Sequence, residues 1–167
     1  TPTAAAACGV GAAIALTQLS YKKGDLTRAL KGARAGRVAI PAGPDTPARG
    51  LAAIIGAVGG VLVVVVVPLL DKLKIDDVVG AIPVHLLAGI WGTLIVPLSN
   101  SDASYSVQLT GIVAIGAFTL VVSGIVWFAL KTTIGIRVTA EEEALGLDKV
   151  EIGVEAYPEF GQGSQRL

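Results

Sequence analysis

Asp, Glu, Lys and Arg are absent from four long stretches of the chain, residues 1–21, 50–70, 78–101 and 103–130. Each is about as long as the ~20 residues a helix needs to cross a hydrocarbon core. A water-facing helix of that length would carry a polar stripe at 3.6-residue spacing, and the run Leu62-Val63-Val64-Val65-Val66-Val67 has none. The pattern predicts helical spans at about 2–21, 50–70, 78–98 and 108–131. A further span, at about 27–43, is interrupted by Arg28, Lys31, Arg34 and Arg37. The fold class expected is all-α, a polytopic membrane helix bundle with about five transmembrane helices.

The intervening links support this reading. Residues 71–77 are charged, and residues 99–108 carry the turn formers Asn100, Ser101 and Asp102. From Gly135 onward the sequence is polar, with seven acids and three bases. The expected division is a membrane bundle at 1–134 and a soluble tail at 135–167. Bases in short links mark the cytoplasmic side. Lys22, Lys23, Lys72, Lys74, Lys131 and Arg137 share one side only if the 27–43 segment crosses the membrane, so the count predicts that it does. Gly32 with Gly36, and Gly56 with Gly60, are small-xxx-small pairs of the kind that let helices approach closely in lipid.

Composition adds limits. The chain is 53% hydrophobic and 16% charged, against about 25% charged in an average soluble domain. The net charge of zero gives no sign of nucleic acid as a partner. The lone cysteine, Cys8, excludes an internal disulfide and a multi-cysteine metal site, and among Ala and Gly it suits a packing role. There is no methionine, and Thr1 opens directly into an apolar stretch, so a piece of a longer polypeptide is expected.

His85 is the single histidine. Helical spacing puts Ala81, Ala88, Gly89 and Gly92 on its face. An imidazole on a small-residue face inside a membrane either bonds a neighbouring helix or lines a pathway. No second histidine, nucleophile elbow or phosphate-binding loop accompanies it, so neither an enzyme, a metal site nor a cofactor is expected. Asp76 and Asp77 suit the N-terminus of a helix. The basic residue at every third position from Arg28 to Arg37 resembles a voltage sensor, but the other spans lack the intramembrane acids such a helix needs.

The order of motifs resembles the Amt/Rh family of ammonium transporters. Thr1-Pro2-Thr3-Ala4-Ala5-Ala6 opens the first span, and Asp76-Asp77 precede Gly80-Ala81-Ile82-Pro83-Val84-His85, Gly89 and Gly92. The tail reads Gly135-Ile136-Arg137-Val138, Glu141-Glu142-Glu143, Gly146-Leu147-Asp148 and Glu155-Ala156-Tyr157. The resemblance covers the whole chain and implies the last five of eleven helices plus the cytosolic tail. It implies that His85 is the second of two pore histidines, with Thr3, Ala81, Gly89 and Gly92 as pore or packing support. It further implies ammonium or ammonia as cargo, a homotrimer in the cell's inner (plasma) membrane, and a cytoplasmic C-terminus. A PII-type signal protein is the implied partner of a regulatory tail that includes Arg137, Glu142, Gly146, Leu147, Asp148 and Tyr157. The sequence departs from the family at Lys31, Arg34 and Arg37, at Pro41, Pro44 and Pro47, and in lacking a histidine near Ile152. Two functions are expected: part of an ammonium-conducting pore, or a non-conducting membrane-anchored fragment whose tail binds a regulator.

Overall fold

The structure, a computed structural model, describes residues 2–40 and 48–158. Among these residues there are helices and no strand. The chain divides into two compact units, Thr1–Gly116 and Ala117–Leu167.

The first unit is built on α1 (Pro2–Tyr21), α2 (Leu26–Val38) and α3 (Arg49–Lys72). Small residues hold them together. A Cβ on Gly36 or Gly56 would strike the backbone of Ala5, and one on Gly60 would strike Gly9. Gly9 and Gly32 face each other in the same way. Ala5 and Gly9 on α1 therefore sit between the two glycine pairs of α2 and α3. Lipid offers no hydrophobic drive for two apolar helices to associate, so backbone-to-backbone approach supplies the attraction through dispersion.

The register fixes direction. Ala5 meets Gly36 and Gly56, whereas Gly9 meets Gly32 and Gly60. α1 thus runs antiparallel to α2 and parallel to α3. The same register puts Lys72 level with Tyr21, so the links that follow α1 and α3 share one end of the unit. Lys22, Lys23, Lys72 and Lys74 gather there, the grouping expected only if the second segment runs through the bundle.

A continuous helical segment follows over Ile82–Leu98. It opens with π-helical turns at Ile82–Leu87, continues as α4 (Ala88–Ile95), and tightens to a 3₁₀ turn at Val96–Leu98. α5 (Tyr105–Thr133) is predominantly apolar and has no buried residue. Among the described residues, α1, α3 and α5 are long and apolar enough to cross a membrane. The Ile82–Leu98 segment is shorter. α2, at 13 residues, rises only about 20 Å, short of a ~30 Å core. About five transmembrane helices were expected from the sequence, the one at about 27–43 interrupted by bases. The shorter segments are Ile82–Leu98 and α2, whose helix ends at Val38, and residues 41–43 of the span expected at 27–43 lie outside the described residues.

The bases of α2 have separate destinations. Arg28 pairs with Asp25 at 3.4 Å and stacks over the Tyr21 ring at 4.6 Å. Lys31 donates to the Val78 carbonyl at 3.3 Å. Arg34 and Arg37 are exposed while Ala35 and Gly36 face the core. No arginine of α2 is forced into the packed interior, because the small residues take the inner positions.

In the second unit, α6 (Ala140–Leu145) begins with a capping box: the Glu142 N–H donates to the Thr139 hydroxyl, and the Thr139 N–H donates to the Glu142 carboxylate. A short π-helical turn at Asp148–Ile152 follows, closed by Gly153 in the left-handed region.

Candidate functional site

Asp77 sets the start of the His85 segment. Its carboxylate oxygens accept from the Ala81 N–H at 2.7 Å and the Ile82 N–H at 2.9 Å. Two of the donors left unsatisfied at any helix start are thereby paired. Asp76 beside it is exposed. Helix therefore begins at Ala81, three residues after the start expected at 78, because Val78–Gly80 form the turn that brings the Asp77 side chain back onto the first N–H groups. Gly80, at φ +77°, takes the left-handed conformation this turn requires.

Pro83 sits within the first turns, where its missing N–H is tolerated. The Ala88 N–H reaches back to the Pro83 carbonyl, five residues away, and also to that of His85. A turn closed at i→i+5 holds more residues than an α-turn, and the face expected for His85 divides accordingly. Val84, Ala88 and Gly92 are buried, Gly89 is half-buried, and Ala81 and His85 are exposed. The imidazole stands beside the buried stripe, with exposed Leu86 next to it.

The buried stripe meets α2 and α3. Ala35, Val63, Val84 and Ala88 form one buried cluster. A Cβ on Gly92 would strike Ala39. The Trp91 indole N–H donates to the Ile55 carbonyl at 3.2 Å. The helix is thus anchored by one side while the imidazole is presented on another. There it can donate one hydrogen bond and accept one without carrying a full charge.

The remaining residues singled out from the sequence lie elsewhere. Thr3 is exposed on α1. Arg137 pairs with Glu143 at 2.9 Å. Hydrogen bonds from the Thr139 backbone, then from its hydroxyl, hold the Glu142 carboxyl below its ordinary range. Asp148 is likewise lowered, first by the Ala156 N–H and then by the Lys149 N–H. Gly146, at φ +96°, ends α6 by donating its N–H to the Glu142 carbonyl. Leu147 and Tyr157 are exposed. Among the described residues, no group of three or more His, Cys, Asp or Glu could hold a metal ion. Lys31 is the residue whose place was missed. Read only as one base in a stripe, it meets the His85 segment because Lys31, Ala35 and Ala39 recur at spacing four, as do Gly80, Val84, Ala88 and Gly92.

The profile of the Ammonium Transporter Family matches residues 1–157. The chain belongs to the ammonium transporter family. It is 37% identical over 177 residues to ammonium transporter Amt2 of Archaeoglobus fulgidus, covering 93% of this chain and 38% of that protein. Ammonium transporter Amt1 of Haloferax mediterranei is 41% identical over 112 residues, covering 64% of this chain and 22% of the relative. A solved structure titled Sensor Amt Protein superposes with a TM-score of 0.83 at 28% identity, over 90% of this chain and 40% of that one. The chain thus spans well under half the length of these relatives. Family membership and the apolar helices together make this family member a multi-pass membrane protein with an all-helical bundle, as expected from the sequence.

Proposed function

We propose that these residues form the C-terminal part of an ammonium transporter, and that His85 lines the path by which ammonium crosses the membrane as ammonia. The observation that carries this reading is the exposed imidazole beside the stripe by which an apolar segment is buried against α2 and α3. Stripping water from an ion without replacing its partners costs many kcal/mol, whereas a neutral molecule loses far less. A dry path therefore favours deprotonation at its mouth, with a neutral imidazole offering a hydrogen bond on the way. The opposing wall of the path comes from further helices, of a longer chain or a complementing one.

The end carrying Lys22, Lys23, Lys72 and Lys74 faces the cytoplasm in this reading, by the weight of bases in short links. Residues 1–134 lie in the cell's inner (plasma) membrane and 135–167 form a cytosolic tail. The assembly is a homotrimer, and a PII-type signal protein acts at the tail. Cysteines placed at positions 24 and 101 test the orientation, which requires that they label from opposite sides. A second reading, a non-conducting fragment that binds a regulator, draws support from the local order of the tail, where Lys149 also pairs with Glu155 at 3.1 Å.

His85→Leu in the assembled transporter tests the main reading. Volume is roughly kept and both ring nitrogens are lost, so ammonium uptake per folded assembly falls by about tenfold or more, the equivalent of one lost hydrogen bond to the cargo. Unchanged uptake with a lowered melting temperature would show that the ring only packs. Uptake by the 167-residue chain alone, with and without a complementing half, separates conduction from the regulator-binding role.

A further inference from the structure

We infer that Lys31 is a positioning residue for His85, acting through the turn that starts the His85 segment. The ammonium group of Lys31 donates to the Val78 carbonyl at 3.3 Å across 47 residues of sequence. Its aliphatic stem lies over Gly80, where a Cβ would come within 2.9 Å of Lys31 Cδ and 3.2 Å of Cε. Val78 and Gly80 belong to the turn that lets Asp77 cap Ala81 and Ile82. α2 therefore grips the segment at three levels: Lys31 at Gly80, Ala35 in the cluster with Val84 and Ala88, and Ala39 at Gly92.

The lowest grip differs in kind from the others. Ala35 and Ala39 act by close packing and, with the Trp91 indole that donates to the Ile55 carbonyl, hold the segment from Val84 onward without reaching the turn before it. Lys31 binds a backbone carbonyl just before the first turn, and a fixed carbonyl fixes the azimuth at which the turn begins. From there the i→i+5 bond between Ala88 and Pro83 leaves His85 beside the buried stripe. Loss of the tether frees the Val78–Gly80 turn, and the imidazole samples more than one azimuth. Arginine can restore the tether, because its guanidinium also donates to a carbonyl and reaches as far. Methionine, similar in length and apolar, cannot.

His85 is the only histidine in the chain, so its ring resonances in bilayer-reconstituted, histidine-labelled protein report one site. The native chain is expected to show one set of ring signals. Lys31→Met splits or displaces them with the helical content unchanged, and Lys31→Arg returns one native-like set. Identical ring signals in native and Lys31→Met protein would overturn the inference. So would a Lys31→Arg variant as perturbed as Lys31→Met, because that outcome makes Lys31 a packing element only. If Lys31→Met is not recovered folded, Lys31→Gln, which keeps a donor too short to reach, gives the same reading. A functional arm rests on the proposed transport: in the conducting assembly, Lys31→Met shifts the ratio of ammonium to methylammonium uptake by about tenfold, as a misplaced catalytic or binding group does. If His85→Leu transports normally, the transport reading fails and the ring-resonance result still decides the role of Lys31.

Discussion

α3 and α5 are alike as sequences and opposite as structures. Both are long, apolar and able to cross a membrane, yet α3 buries Ala52, Ile55, Gly56, Gly59, Gly60, Val63, Val64 and Leu70 while α5 buries nothing. Hydrophobicity does not separate them, since in lipid it inserts a helix without choosing its neighbours. The separation lies in where glycine stands. Gly56, Gly59 and Gly60 face the backbones of Ala5, Ala35 and Gly9, whereas Gly111, Gly116 and Gly124 on α5 have nothing within 4 Å of their Cβ positions. Among the described residues, the glycines that mark a packed face are those to which a partner presents its own small residues at matching spacing.

The sharpest way to break this comparison is a matched pair of substitutions. Gly60→Ala forces a methyl group against the Gly9 backbone and is expected to lower stability by about 2–3 kcal/mol. Gly116→Ala meets no neighbour and gains helix propensity, so it is expected to be neutral or stabilising by up to about 1 kcal/mol. Unfolding of both variants in one detergent measures the difference, and equal effects would remove small-residue packing as the explanation.

A second pair asks how far local capping supports the packed bundle. Asp77→Ala removes both hydrogen bonds at the start of the His85 segment and should cost about 1–2 kcal/mol. Asp76→Ala, at the exposed neighbour, should stay within about 0.5 kcal/mol. Thermal midpoints of the two variants decide it, and a reversed order would place the cap on the wrong aspartate.

The smallest effect belongs to the tail, where polar bonds act without burial. Asp148 has a depressed folded pKa, so its contribution is present above the unfolded value near ~3.9 and fades as pH falls through the lower folded value. The amide signal of Ala156, which donates to Asp148 at 2.9 Å, should titrate below the ordinary aspartate range. A midpoint at or above that range would mean the bond is absent in solution, and Asp148→Asn should abolish the titration.

Charge-free length was enough to locate α1, α3 and α5 within a few residues, because a helix that satisfies its own backbone is the stable form of such a run in lipid. The glycine pairs of α2 and α3 could be read as packing faces because small residues at spacing four let backbones approach closely. The start of the His85 segment was legible in part: Asp77 read as a helix-start residue, but the turn at Val78–Gly80 that lets it cap was not anticipated. The face of His85 was read with α-helical spacing, and the π-helical turns divided that face.

What the sequence determined by itself is the local and the repetitive: insertion, helix, small-residue stripes and the order of motifs that marks the family. These follow from properties of consecutive residues in a given solvent. Only the tertiary structure decided that α1, α2 and α3 pack mutually, that Arg34 and Arg37 face outward, and that Lys31 reaches the turn before His85. Those outcomes depend on which stripes meet and in what register, and Lys31 and Val78, 47 residues apart in sequence, become neighbours only after α2 has docked on the His85 segment.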